Sequence, residues 1–319
     1  MKRPVVVCAA DLGHLPAVCN LIESAVEVRY VSATPEALAE ALPDADAYFA
    51  SMHVRITGEM MARAPRLRAI ATPSTGLDHI DMDIARQQGI VVLSLKNDRQ
   101  LLDRITATAE LTWALILACA RRFPEALDAV RRGVWARDEV RGHQIAYKTL
   151  GILGMGRLGS IVAGYGLAFR MNVIGCDVRP IDLPGVRMVG LDTLIRESDV
   201  LSIHIHLTDE NRGLIGRERL QAMKPGSILI NTSRGAIIDE DALLETLQKG
   251  PLAAAGLDVI EGEWRPDIAE HPLMVHARTH ANLVITPHVG GVTYEAQEMA
   301  YEAAARKLID HLTGPESPA

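Results

Sequence analysis

At 319 residues the chain has room for two domains of ordinary size, each with its own core. Hydrophobic residues at 48% and charged residues at 23% are globular proportions that exclude a disordered chain, and a formal net charge of −7 offers no basic footprint for nucleic acid. No run reaches the ~18 uninterrupted apolar residues of a membrane span, so neither nucleic acid nor a membrane is an expected partner.

In chain order, Lys2 and Arg3 precede an apolar run over 5–10 that meets Asp11 at once, too short for a signal-peptide core and read as a first strand. Further strands are predicted over 47–51, 67–72 and 90–93, with helix-like segments between them. Such βα alternation implies a parallel sheet with helices on both faces. Residues 95–105, carrying Lys96, Asp98, Arg99, Asp103 and Arg104, read as a charged loop. The stretch 106–121 is apolar nearly all the way round, which marks a buried helix. The rhythm then restarts, with strands over 150–153, 173–176, 200–205, 227–231, 253–258 and 283–286. The tail over 293–312 places Met299, Ala303, Leu308 and Leu312 on one face, an amphipathic helix with Thr293 at its start. The fold class is therefore α/β, with two doubly wound parallel-sheet units. Cys8, Cys19, Cys119 and Cys176 lie far apart without paired spacing, which suggests no metal site and no disulfide, and suits a cytoplasmic protein.

The strand over 150–153 runs into Gly154-Met155-Gly156-Arg157-Leu158-Gly159. The first glycine permits a tight turn, the second lets a pyrophosphate approach the backbone, and the third lets the next helix pack closely on the strand. That helix opens at Arg157 and Leu158 and turns unpaired N–H groups and a positive dipole end toward the phosphates. Asp177 ends the following strand at about the 20-residue distance where an adenosine ribose presents its hydroxyls. A carboxylate there repels a 2′-phosphate and predicts NAD over NADP, while Arg179 pulls the other way.

Three later segments follow predicted strands of the second unit, where doubly wound sheets place their sites. Asn231-Thr232-Ser233-Arg234-Gly235 offers a planar fork of donors for a carboxylate or carbonyl, or merely a surface ion pair. The stretch 257–264 carries Asp258, Glu261 and Glu263, reading as a catalytic acid or as a solvated acidic turn. Thr286-Pro287-His288-Val289-Gly290-Gly291 holds one of 11 histidines, any one of which is more often structural. Together, an arginine to polarise a carbonyl, an imidazole that titrates near neutrality and a carboxylate to orient it are the parts needed to protonate a carbonyl oxygen during hydride transfer.

These motifs, together with Ser74-Thr75-Gly76-Leu77-Asp78-His79-Ile80-Asp81 and Thr108-Ala109-Glu110, closely resemble the NAD-dependent D-isomer-specific 2-hydroxyacid dehydrogenase family (phosphoglycerate dehydrogenase-like) over nearly the whole chain. The resemblance implies Arg234 as the substrate-orienting arginine, Glu263 as the carboxylate partner and His288 as the acid/base, with Glu261 a competitor of Glu263. It implies the Ser74, Thr75 and Gly76 amides as the clamp for the substrate carboxylate, and Thr108, Thr232, Asp258 and Gly290 as further cofactor contacts. His53 and Arg55 fall in a region that faces the substrate in relatives. The implied architecture is a Rossmann cofactor domain (99–287) inserted into a flavodoxin-like substrate domain (1–98 and 288–319), with the active site in a cleft that closes on substrate. The expected partners are a small 2-oxo or 2-hydroxy acid and a second copy in a homodimer. The implied function is hydride transfer between NAD(H) and a D-2-hydroxy acid or its 2-oxo acid. An NAD(H)-sensing binding protein of the same fold is the alternative. Three departures stand out: Trp264 where the family usually has proline, an extra histidine at His206, and the charged loop over 95–105.

Overall fold

The computed structural model describes residues 3–135 and 137–314. The chain divides into two compact units: one runs to Ile105 and resumes at Thr293, and the other is Thr106–Val292. Both junctions lie a few residues later than the sequence suggests. The segment after residue 98 stays with the first unit because Lys307 Nζ contacts Asp98 Oδ2 at 2.6 Å and donates to the Ser94 carbonyl at 2.7 Å. It carries a short helix, Arg99–Leu102, where a loop was expected. Residues 288–292 stay with the second unit because the Val289 and Gly290 amides donate to Asp258.

In the first unit, strands β1 (Val5–Cys8), β2 (Glu27–Tyr30), β3 (Ala47–Phe49), β4 (Ala69–Ala71) and β5 (Val91–Leu93) form a parallel sheet in the order β2-β1-β3-β4-β5. This is the flavodoxin-like order, with the chain reversing direction across the sheet between β1 and β3. The helix Tyr294–Thr313 packs back onto helix Pro16–Ala25 and β4. Thr293 caps it by accepting from the Ala296 N–H at 3.1 Å, and Ala304, Ala305 and Leu308 on its inner face are fully buried.

In the second unit, β6 (Thr149–Leu153), β7 (Asn172–Cys176), β8 (Val186–Met188), β9 (Val200–Ile203), β10 (Ser227–Asn231), β11 (Leu252–Leu257) and β12 (Leu283–Ile285) form an all-parallel sheet in the order β12-β11-β10-β9-β6-β7-β8. The order reverses between β6 and β9, the position where this class of sheet opens a crevice for a ligand. Helix Ala107–Ala120 covers β10 and β11. It approaches so closely that a Cβ on Gly256 would lie 3.0 Å from Leu115 Cβ. Its buried residues, among them Trp113, Leu115, Ile116 and Cys119, face the sheet and its neighbours, while Glu110 and Ala114 are exposed on the opposite face, so the apolar pattern overstates the burial of this helix. The two strands that the sequence pattern does not show, β2 and β8, are sheet edges, where half-exposed polar positions leave no apolar run to detect.

Candidate active site

β6 ends in the glycine turn. Gly154 has φ +94°, and a Cβ there would lie 2.6 Å from the His204 carbonyl, so only glycine fits. A Cβ on Gly159 would lie 2.0 Å from the Gly154 oxygen, which is how the helix Arg157–Ala168 comes down onto the turn. Gly156 is different: a Cβ there would meet only Arg179 Nη2, at 3.8 Å, so its face is open to a ligand. Gly156, at the N-cap of this helix, has no side chain with which to cap it. An open glycine face at the positive dipole end of a helix fits a pyrophosphate.

Asp177 follows β7 with its side chain only 7% exposed. Its Oδ2 accepts from the Met155 N–H at 2.8 Å, while Oδ1 accepts from the Arg179 N–H at 2.9 Å and from Arg179 Nε at 3.1 Å. Burial works to raise its pKa, but these bonds and the guanidinium charge hold it below the ordinary value. Asp177 and Arg179, opposed in the sequence reading, thus form one ion pair beside the glycine turn. His204, just past β9, bonds through Nε2 to Ser202 Oγ at 2.8 Å, and desolvation pushes its pKa down to about 4. It is a neutral structural histidine whose backbone shapes the turn. His206 is exposed, and its carbonyl accepts from Asn211 Nδ2 at 2.6 Å.

The loops after β10, β11 and β12 converge. Past β10, Asn231 braces its own loop, donating from Nδ2 to the Arg234 carbonyl at 2.9 Å and accepting the Ser233 N–H at 3.0 Å. Arg234 Nη1 donates to the Ser233 carbonyl at 2.7 Å. A Cβ on Gly235 would lie 2.2 Å from the Glu261 nitrogen, so this glycine allows the Arg234 loop to close against the loop after β11. Thr232 is tied to helix Ala107–Ala120 through Thr112 Oγ1 at 3.0 Å.

Asp258, 2% exposed, anchors the third loop. Its Oδ1 accepts from Thr286 Oγ1 at 2.5 Å and the Val289 N–H at 2.9 Å, and its Oδ2 accepts from the Gly290 N–H at 2.8 Å. Burial pushes its pKa up, against the pull of these donors. Between the anchored residues stands His288, in the left-handed region at φ +55°. Its backbone N–H donates to the Asp258 carbonyl at 2.8 Å. A non-glycine residue held at such φ is a local cost that the surrounding bonds offset, and it aims the imidazole. The ring's Nδ1 lies 2.6 Å from Glu263 Oε1, with side-chain exposures of 17% and 18%. The second carboxylate oxygen, Glu263 Oε2, is buried without a hydrogen-bond partner. Glu261 instead pairs with Arg212 at 2.7 Å on the exposed side of the turn. Trp264 stacks on His288, ring centroids 5.9 Å apart and 22° from parallel. Gly290 completes the corner, since a Cβ there would lie 3.1 Å from Thr108 Cγ2.

The sequence model described as "D-isomer specific 2-hydroxyacid dehydrogenase, NAD binding domain" matches residues 113–290. The chain belongs to this family. Its cofactor is NAD, and its class is the NAD-dependent 2-hydroxyacid dehydrogenases. A glyoxylate reductase of Aeropyrum pernix is 40% identical over 100% of this chain and 96% of its own length. The D-3-phosphoglycerate dehydrogenase of Methanocaldococcus jannaschii is 34% identical over 97% of this chain, which spans 58% of that longer protein. Among solved structures, a D-lactate dehydrogenase from Aquifex aeolicus, complexed with NAD and lactic acid, has a TM-score of 0.85 at 30% identity, covering 97% of this chain and 96% of that one.

Arg234, Glu263, His288, Thr108, Thr232, Asp258, Gly290, Asp177 and the glycine turn all lie in the Thr106–Val292 unit of this family member. Ser74, Thr75, Gly76, His53 and Arg55 lie in the first unit, where His53 and Arg55 are exposed after β3. There Thr72 Oγ1 contacts the buried His79 at 3.2 Å and accepts the Ser74 N–H at 3.3 Å, shaping the Ser74–Gly76 loop from within. Sequence reasoning missed the anchoring of the His288 loop by Asp258 and the Glu240–His271 pair, neither of which has a motif of its own.

Proposed function

We propose that the chain interconverts a small D-2-hydroxy acid and its 2-oxo acid, with the Thr106–Val292 unit holding NAD and the other unit contributing substrate contacts. The observation that carries this is the 2.6 Å Glu263–His288 pair on the strand ends of the sheet that bears the glycine turn. Glu263 accepts, so Nδ1 carries the proton and Nε2 is the nitrogen turned to substrate. Bound NADH supplies the hydride, or NAD accepts it. In the reductive direction the imidazolium of His288 gives its Nε2 proton to the substrate oxygen, and the Glu263 carboxylate stabilises the charged ring that must form first. In the oxidative direction Nε2 takes the hydroxyl proton. Arg234 supplies donors that polarise the carbonyl and orient the carboxylate. Trp264 limits rotation of the imidazole from one face.

The Ser74 N–H is already used by Thr72, which leaves the Thr75 and Gly76 amides to receive the substrate carboxylate. His53 and Arg55 are the proposed contacts to the substrate side group. Gly154, Gly156, Arg157, Leu158 and Gly159 would hold the pyrophosphate, Asp177 the ribose, and Thr108, Thr232, Asp258 and Gly290 the nicotinamide end. A homodimer is also proposed: Phe123, Leu127 and Val130 on helix Phe123–Arg131, with Val134 and Trp135 after it, form an exposed apolar stripe, Trp135 at 88% exposure. The four free cysteines suit a reducing compartment, so the proposed location is the cytoplasm.

The test is NADH and NADPH oxidation across 2-oxo acids with hydrogen, aliphatic, hydroxymethyl, phosphorylated, aromatic and dicarboxylic side groups. Turnover of a small 2-oxo acid with NADH is expected. Binding of NADH with no turnover of any acid would overturn the reading in favour of a sensing protein.

A further inference from the structure

The turn after β11 that carries Glu263 starts on the buried Val259 and Ile260, but from Glu261 onward it borders a cavity. This cavity, of about 590 Å³, is lined by Arg212, Gly262 and Pro272 and also by Glu240, Glu261 and His271. Where packing is absent, tie points fix a loop. The Arg212–Glu261 ion pair is exposed on both sides and contributes little. Gly235 supports Ile260 and Glu261 from the other direction.

A further tie is Glu240, the first residue of helix Glu240–Lys249. The helix start does not need it, because Asp239 caps that helix by accepting the Ala242 N–H at 3.0 Å. The Glu240 carboxylate turns to the catalytic turn instead. Its Oε1 accepts the Glu261 N–H at 2.7 Å, and its Oε2 lies 3.2 Å from His271 Nε2. His271 is itself fixed: its Nδ1 accepts the Leu273 N–H at 3.3 Å, which leaves Nε2 as the donor to Glu240. Side-chain exposures of 8% for His271 and 14% for Glu240 make this a largely buried chain of bonds at the wall of the cavity, from helix Pro272–Ala277 to the Glu261 amide, two residues before Glu263.

Holding a carboxylate there is costly. Burial pushes Glu240 up to about 7 against the pull of the Glu261 amide, and the carboxylates of Glu261, Asp241 and Glu263 add to the rise. Burial likewise pushes His271 down.

We propose that Glu240, backed by His271, is a positioning residue for the reaction: by clamping the Glu261 amide it sets where the Glu263 carboxylate meets His288. The proposal rests on the Glu263–His288 reading above. It requires reach more than charge. Glu240→Gln keeps an oxygen at the same distance from the Glu261 N–H, and His271 can shift its tautomer by giving up the long Leu273 bond. Glu240→Asp keeps the charge but is one methylene short, and Glu240→Ala removes both.

The experiment measures kcat, KM for NADH and thermal midpoint for these three variants and for His288→Asn, using NADH and a turned-over 2-oxo acid. The expected result is Gln within about threefold of wild-type kcat, with Asp and Ala lower by about tenfold or more and KM for NADH unchanged in all three. If Ala fails to fold, the Gln and Asp pair still decides. Asp active with Gln impaired, equal loss in every variant, or no loss in any would overturn the proposal. Retained turnover in His288→Asn would overturn the underlying reading instead, whatever the Glu240 variants do.

Discussion

Asp258→Asn probes what keeps His288 in place. The carboxylate takes three donors: Thr286 Oγ1 and the Val289 N–H on one oxygen, and the Gly290 N–H on the other. An asparagine has one acceptor oxygen, so its amide NH2 must face a backbone N–H or displace two donors. The cheaper choice keeps Thr286 and Val289 and leaves the Gly290 N–H opposed by another donor. Losing one bond to a charged acceptor removes about 1.5–3 kcal/mol, and the stranded buried N–H costs roughly 1–3 more. A neutral amide recovers part of the desolvation that raises the Asp258 pKa, so the net loss should be about 2–4 kcal/mol. The same change frees the loop on which His288 sits at φ +55°. Relaxation of that backbone moves the imidazole, and a shift of about 1 Å at a reacting group can cost on the order of 10²-fold. Urea denaturation and steady-state kinetics on one preparation read both effects. A variant with wild-type stability and kcat within twofold would refute the anchoring role of Asp258.

Gly159→Ala places a Cβ 2.0 Å from the Gly154 oxygen, backbone against side chain with no flexible neighbour to yield, so the helix must move off the glycine turn. Weakened NADH binding by titration, with stability lowered by about 1–3 kcal/mol, is expected, and unchanged NADH affinity would contradict the fit to a dinucleotide. His204 carries a pH prediction. Its folded pKa of about 4 is below the unfolded value of roughly 6.5, so the unfolded chain binds the extra proton, and the stability that neutral His204 contributes is present above pH 6.5 and lost as pH falls toward 4. Wild-type protein should lose up to about 3 kcal/mol more over that window than His204→Gln, and parallel stability–pH curves for the two would contradict it.

The parts of the molecule that depend on local pattern were legible in the sequence. The glycine turn, Asp177 and the long apolar helix each announce themselves through spacing or periodicity, and the central strands do so because burial on both faces leaves continuous apolar runs. Edge strands such as β2 have no such run, since Glu27, Arg29 and Tyr30 face water. Bonds between loops distant in sequence are invisible for a different reason. Asp258 meets Gly290 across 32 positions, and Glu240 meets the Glu261 amide across 21, so neither link has a fixed offset to search for. Trp264 was visible as a departure from the family, but its stacking on His288 is a property of the fold. Glu263 and Glu261 have the same side chain two residues apart, and only the turn geometry shows that one reaches the imidazole while the other pairs with Arg212.

The most direct test of the proposed chemistry is turnover of His288→Asn with NADH and the preferred 2-oxo acid, alongside NADH binding by fluorescence titration. Asparagine tolerates the left-handed backbone at this position better than alanine does, so the loop survives and only the imidazole is lost. A fall in kcat of at least ~10²-fold with NADH affinity within about twofold of wild type is the predicted result. Turnover near the wild-type rate would contradict the assignment of His288 as the acid/base.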